Sequence, residues 1–319
     1  MRAVVVSALS DDRSGVALAD VADPVPAPGQ VLIRVRAAAL NHPDLLMTRG
    51  AYQLKPDLPF VPGMEVAGEV VSGDGFAKGA AVVAATRLGG LAELVAVDVA
   101  QARAKPPNLS FAEAAATGAA YLTAYVALVR LAHVQPEEWV LVHGASGGVG
   151  LAAVDLAKAL GARVIATSRS LDKLTRVMEL YAPDAIVPAP GFRNAVKDLT
   201  GGGAHVMFDP VGGDTFDEST RCIAFGGRLL VVGFTSGRIA AVPTNIPLIK
   251  GFSVIGVRAG EHGRRFPEQG RADADAVWRL ATEGRIRPHV DARFPLAEWR
   301  AAFDHMAAAR MVGKIVLEP

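Results

Sequence analysis

Two short stretches hold most of the polar chemistry in the first part of this chain. Residues 40 to 52, LNHPDLLMTRGAY, collect Asn41, His42, Asp44, Arg49 and Tyr52, and residues 62 to 69, PGMEVAGE, set Met64 before Glu65. A metal site, an acid–base pair and a cofactor floor are all conceivable for such a set. His42 and Asp44 invite the acid–base reading, but Pro43 suits the first turn of a short helix ending at Gly50, where Asp44 is a favourable anion at the positive end. The pair is therefore expected to be a helix start.

The most specific stretch is VLVHGASGGVGLAAVDLAKALGARVIATSRS. An apolar run ends at His143, glycines stand at 144, 147, 148 and 150, and Val149, Ala152, Ala153, Leu156 and Leu160 then fall on one helical face. The spacing is G-x-x-G-x-x-G. Its physical demands are those of any dinucleotide loop: a tight turn, backbone close enough to touch a pyrophosphate, and a helix start whose free N–H groups attract the anion. A dinucleotide domain for NAD wants an acidic residue at the next strand end, about 20 residues on, to accept from the adenosine ribose. Here Thr167, Ser168 and Arg169 stand instead, with Lys173 a helical turn further. Hydroxyls and cations suit a ribose 2′-phosphate and no carboxylate repels it, so NADPH is the expected cofactor; a solvated helix start is the bland alternative.

The elements that must position these groups show in the hydrophobic pattern. The chain has 319 residues, long enough for two cores, with 51% apolar and 20% charged residues and a formal net charge of +1. That balance carries no footprint for nucleic acid or a membrane surface. The single cysteine, Cys222, excludes an intramolecular disulfide and a thiolate cluster. With no signal-peptide core and no apolar run of about 18 residues, a cytoplasmic location is expected. The first 110 residues give short alternating runs, QVLIRVRAA foremost, and predict a small, mostly β, barrel-like domain. Ser110 and Glu113 form a capping box before an Ala-rich helix expected to continue to about His133. Apolar strands and helices then alternate from Trp139 to Val257, predicting about six parallel strands covered on both faces. Two more helices are expected near 272–283 and 295–309, the second with Leu296, Trp299, Phe303 and Met306 as a packing stripe, and a closing strand, GKIVL.

In this light the chain resembles the medium-chain dehydrogenase/reductase superfamily, in its zinc-free quinone oxidoreductase branch, which includes zeta-crystallin. The resemblance rests on Asn41 and Asp44, Arg49-Gly50 with Tyr52, PGMEVAGEV, Thr123-Ala-Tyr125, HGASGGVG, DPVGG (209–213), GGRLLVVG (226–233) and GKIVL, in that order. It implies an α/β fold: a GroES-like, mostly β catalytic domain built from both chain ends (1–122 and 260–319), and between them (123–259) a Rossmann-fold dinucleotide-binding domain with a six-stranded parallel sheet. Zinc-dependent relatives carry Cys where Asn41 stands and His where Met64 stands. An amide oxygen and a thioether are poor replacements around zinc, so no metal is expected. Glu65, beside that vacated place, is expected to pair with a cation, Arg49 being the candidate.

The resemblance also distributes roles. It implies that Ser146, Gly147, Gly148 and Val149 line the pyrophosphate, that Ser168, Arg169 and Lys173 hold the 2′-phosphate, that Val232, Gly233, Phe234 and Thr235 border the nicotinamide, and that Thr123 touches the cofactor. Where many relatives place a Tyr or His near the adenine, this chain has the prolines of IVPAPG. Hydride transfer needs no protein nucleophile, but the developing oxyanion needs a proton. Tyr52 is the side-chain candidate for that donor, as the corresponding Tyr is in related enoyl thioester reductases, and Asn41 can hydrogen-bond the nicotinamide ribose or the substrate oxygen. The expected function is NADPH-dependent reduction of a quinone by a homodimer paired through SVIGV. Reduction of an enoyl or alkenal substrate, an α,β-unsaturated carbonyl, is the rival within the class. A cofactor-binding protein without significant catalysis is the rival outside it.

Overall fold

The alternating runs of the amino-terminal region pair as strands because their period of two puts one face on a core. In the computed structural model, which describes residues 1–319, Val31, Ile33 and Val35 are buried while Arg34 and Arg36 are exposed. They lie on the strand Gln30–Leu40, which pairs antiparallel with Glu65–Gly73, Leu94–Asp98 and Lys314–Glu318 in a seven-stranded sheet. Register shifts between Leu32 and Ile33 and between Val35 and Ala37 bend this strand so that the sheet curls around its core. Leu296, Trp299, Phe303 and Met306 join that core, with Trp299 and Phe303 edge to face at 5.8 Å between ring centres. These elements form one compact unit, Met1–Ala119 with Pro288–Pro319.

The second unit, Ala120–Arg287, is built on a six-stranded sheet, parallel throughout. Its strands are Trp139–Val142, Arg163–Ser168, Ala185–Pro188, Ala204–Asp209, Ile223–Val231 and Ser253–Gly256. Counted in chain order, their spatial order is 3-2-1-4-5-6. This is the doubly wound arrangement, in which the order reverses between the first and fourth strands and ligands bind beyond the carboxyl ends there. Helices cover the sheet, among them Gly148–Ala159, Leu171–Tyr181 and Gly213–Ser219. No helix of the chain is long and apolar enough to cross a membrane.

Three sequence expectations are corrected. The Ala-rich helix does not run unbroken to His133. The Ser110 capping box is present, but Phe111–Ala115 ends where the Thr117 hydroxyl donates to the Glu113 carbonyl at 2.8 Å, Gly118–Tyr125 restarts, and Val126–Leu131 is a π-helix. The chain does not return to the first unit at residue 260: Ala259–Arg265 and Pro267–Thr282 are helices of the second unit, held there by the buried Asp273 paired with Arg130 at 2.5 Å. Helices Arg193–Thr200 and Asn245–Lys250 are absent from the sequence expectations, since at eight and six residues they are too short for apolar periodicity to single them out.

Candidate functional site

Strand register brings one polar group of the first unit together. Ile315 pairs with Leu40, so Lys314 at the start of the last strand stands opposite Asn41 at the end of the long one, and Glu65 opens the strand on the other side. The Lys314 ammonium donates to Asn41 Oδ1 at 2.6 Å and to Glu65 Oε1 at 2.9 Å. Asn41 Nδ2 donates to Glu65 Oε1 at 2.9 Å and to the Ala39 carbonyl at 3.2 Å, while Glu65 Oε2 accepts from the Ala119 amide at 2.8 Å. All three side chains are buried. The cation expected at Arg49 is therefore Lys314: Arg49 is exposed, whereas a buried carboxylate needs a buried partner.

Asn41 also stands at the N-cap of the helix His42–Met47, with Asp44 in its first turn. Asp44 Oδ2 accepts from the Asn41 amide at 2.8 Å and Oδ1 from the Gly63 amide at 2.9 Å. Burial pushes the Asp44 carboxyl up to about 6, with those two bonds and the Lys314 charge pulling the other way. Gly63 is confined to glycine: at φ +108° a Cβ would stand 2.4 Å from the Leu91 nitrogen. His42 is exposed and shares no hydrogen bond with Asp44, so the two are a helix start. Tyr52 is half-buried and packed on the core, as Leu54 and Met64 are, and its hydroxyl makes no hydrogen bond within the chain.

Zinc does not fit this place. Its donors are an amide oxygen, a thioether and a carboxylate, and two of them already face an ammonium. Nowhere in the chain do three or more His, Cys, Asp or Glu residues gather as metal ligands.

In the second unit the glycine turn lies at the reversal of strand order. His143 N donates to the Phe208 carbonyl at 3.0 Å, closing the first strand on the fourth, and Ala145 N donates to the Thr167 carbonyl at 2.9 Å. Gly147 caps the twelve-residue helix that Gly148 and Val149 begin. A Cβ on Gly150 would stand 2.2 Å from the Gly144 carbonyl oxygen, so the turn folds tightly back on the helix start. Ser146 and Ser168 are buried with their hydroxyls 3.4 Å apart, which joins the turn to the end of the second strand. Arg169 follows, exposed, and Lys173 N is bonded to the cap of the next helix, Ser170, at 3.3 Å. The sequence motifs DPVGG and VVGFT meet as one wall: Val232 N and Gly233 N donate to the Asp209 carbonyl, and Thr235 N and Oγ1 both donate to the Pro210 carbonyl at 3.1 Å. Phe234 is exposed at its rim. Thr123 is half-buried on the helix Gly118–Tyr125.

His143 braces this turn. Ser219 Oγ donates to the Thr215 carbonyl at 2.7 Å and has no second proton, so His143 Nε2 must be the donor in their 2.8 Å contact. Nδ1 then accepts from the Thr167 hydroxyl at 2.9 Å. Burial pushes the ring down to about 3, which keeps it neutral, and the Ser219 and Thr167 bonds fix this tautomer.

Sequence reasoning missed three residues. Lys314 showed only as a cation opening an apolar strand, Asp209 as an acid before Pro210, and Asp155 as one polar residue on an apolar helix face. Asp209 Oδ1 closes the turn by accepting from Val211 N and Gly212 N at 2.8 and 2.9 Å. Asp155 Oδ2 accepts from the Tyr121 hydroxyl and the Arg287 amide, both at 2.6 Å.

A doubly wound sheet with a glycine turn at its switch point is the architecture of a dinucleotide-binding domain, and the other unit is a curled β unit built from both chain ends. Residues 27–107 match the model of the alcohol dehydrogenase GroES-like domain and residues 148–277 that of the zinc-binding dehydrogenase. The chain is 38% identical over 297 residues to a quinone oxidoreductase-like protein 2 homolog of Nematostella vectensis, covering 90% of this chain and 81% of that protein. It is 31% identical over 348 residues to an acryloyl-coenzyme A reductase of Metallosphaera sedula, covering 99% of each. The quinone oxidoreductase of Thermus thermophilus, solved alone and with NADPH, superposes with a TM-score of 0.87 at 32% identity over the whole of both chains. The chain belongs to the medium-chain dehydrogenase/reductase superfamily, in its zinc-free quinone oxidoreductase branch.

Proposed function

We propose that the protein uses NADPH to reduce a quinone, without a metal. The observation that carries this is the end of the second strand, where buried Thr167 and Ser168 and exposed Arg169 stand in place of the carboxylate that an NAD ribose wants. When bound, the cofactor supplies the hydride; the chain binds, orients and protonates. The N–H groups at Gly148 and Val149 and the Ser146 hydroxyl hold the pyrophosphate, and Gly147, whose own N–H is taken by the Gly144 carbonyl at 2.9 Å, lines it. Ser168, Arg169 and Lys173 hold the 2′-phosphate, the wall Val232–Thr235 borders the nicotinamide, and Thr123 contacts the cofactor. Tyr52, whose hydroxyl has no internal partner, donates to the reduced substrate's oxyanion. We place the enzyme in the cytoplasm as a homodimer.

The test mixes purified protein with NADPH or NADH and a series of small quinones, with and without chelator. Chelator-insensitive loss of reduced cofactor, faster with NADPH, is expected; no turnover with any quinone or enal overturns the proposal. The similarity to an acryloyl-coenzyme A reductase favours a second reading, in which the hydride goes to the β-carbon of an α,β-unsaturated carbonyl and Tyr52 protonates the α-carbon. Tyr52→Phe separates the two. General acid catalysis contributes roughly 10²–10⁴-fold, so an enoyl reaction should lose about that in kcat, whereas a quinone, which can take its proton from water, should lose about tenfold or less.

A further inference from the structure

Every polar atom of the Asn41 side chain is engaged, and its partners decide which way the amide faces. The Lys314 ammonium has donors only, so the atom 2.6 Å from it is Oδ1. The salt-bridged Glu65 carboxylate has acceptors only, so the atom 2.9 Å from its Oε1 is Nδ2. The second Nδ2 proton goes to the Ala39 carbonyl at 3.2 Å. Both donors are spent, and what Asn41 still offers a ligand is one lone pair on Oδ1. Its backbone is fixed as well, because its N–H is taken by Asp44.

We propose that Lys314 is a positioning residue of the hydride-transfer site. By holding Oδ1 of Asn41 and Oε1 of Glu65 together, it makes Asn41 an acceptor and not a donor. An acceptor suits a hydroxyl of the cofactor's nicotinamide ribose and cannot stabilise a substrate oxyanion, which needs a donor. Of the two partners open to Asn41 on sequence grounds, Lys314 thus selects the ribose and leaves Tyr52 as the donor to substrate. This rests on the NADPH reading above.

Two measurements test it. In the cofactor-free protein with ¹⁵N-labelled asparagine, the Asn41 Nδ2 protons should be protected from solvent exchange, and Lys314→Met should accelerate their exchange about tenfold or more, the scale of one hydrogen bond. Protection that persists in Lys314→Met overturns the assignment. NADPH affinity is then measured by fluorescence titration for the native protein, Lys314→Met, Asn41→Ala and the double variant. Each single change should raise Kd by about tenfold and the double variant by little more, since both remove one contact. Penalties that multiply mean that Lys314 acts apart from Asn41 and overturn the proposal. An NADPH analogue lacking the nicotinamide ribose hydroxyls should bind the native protein and Asn41→Ala equally; a surviving difference overturns the choice of ribose. Should Lys314→Met fail to fold because it strands Glu65, Glu65→Gln/Lys314→Met is compared with Glu65→Gln alone in both measurements, so that the loss of the Glu65 acceptor is common to both. If the native protein binds no NADPH, the functional reading falls, while the exchange measurement still decides the role of Lys314.

Discussion

In the proposed function, Arg169 carries the choice of cofactor at the scale of a single residue. It is exposed, follows the buried Ser168 at the end of the second strand, and makes no ion pair within the chain that a ligand would have to break. A charge-assisted hydrogen bond to a phosphate contributes about 1.5–3 kcal/mol, so Arg169→Ala should weaken NADPH binding roughly 10–100-fold. NADH lacks the 2′-phosphate and should bind as before. Titrating both cofactors against both proteins checks this, and an equal loss for the two would place Arg169 in the fold instead of in recognition. Under the same proposal Tyr52 and Asn41 divide the remaining chemistry, one with a hydroxyl that has no internal partner and the other with both donors committed.

At the scale of the element, the helix Gly148–Ala159 joins the glycine turn to a buried carboxylate. Gly150 has no room for a side chain, since a Cβ would overlap the Gly144 carbonyl that turns the chain toward the helix. Gly150→Ala should lower stability by about 1–3 kcal/mol, as overpacking does, and should abolish measurable NADPH binding. Gly147→Ala, whose Cβ would meet that oxygen at an ordinary 3.4 Å, should cost far less stability. Comparing melting temperatures and cofactor titrations of the two separates crowding in the turn from a general intolerance of alanine. One turn further along, burial pushes Asp155 up to about 6. An unfolded Asp titrates near ~3.9, so between about pH 4 and pH 6 the native state holds more protons and stability falls as pH rises, levelling above about 6. Asp155→Asn removes this slope. Relative to the native protein it should gain up to about 3 kcal/mol between about pH 4 and pH 6.5, read by urea unfolding at each pH; parallel pH profiles would refute the shift.

What the sequence made legible follows from the range of the interactions involved. The turn, its helix, the six strands and the capping box of Ser110 and Glu113 depend on neighbours a few residues apart, and their patterns survive in one dimension. Lys314 pairs with residues 273 and 249 positions away, and only the register of the last strand on Gln30–Leu40 brings them together. The carboxylates Asp155 and Asp209 were hidden likewise, since a polar residue on an apolar run shows its function only through a partner. Helix continuity past Ala115 failed for a local reason: alanine favours a helix, but the Thr117 hydroxyl competes for the Glu113 carbonyl.

At the scale of the whole molecule, one of the two edges of the second unit's sheet is flanked by exposed apolar side chains. Ser253–Gly256 is the last strand in the order and pairs on one side only, with Ile223–Val231. Phe225, on that partner strand, is 87% exposed, and Leu248 and Ile249, on the helix leading into the edge strand, are 81% and 73% exposed. Large apolar side chains beside an unpaired strand are what a soluble chain ordinarily covers. A second copy covers them most economically, because a two-fold axis at the edge pairs each strand with itself and sets each apolar cluster against its mate. Light scattering at micromolar concentration should therefore give twice the mass of the 319-residue chain. Val254→Lys puts like charges on facing strands near that axis and should yield monomers with an unchanged far-ultraviolet spectrum. A native protein that scatters as a monomer would sink the dimer. A Val254→Lys dimer would move its interface away from this edge, and Phe225, Leu248 and Ile249 would need another partner.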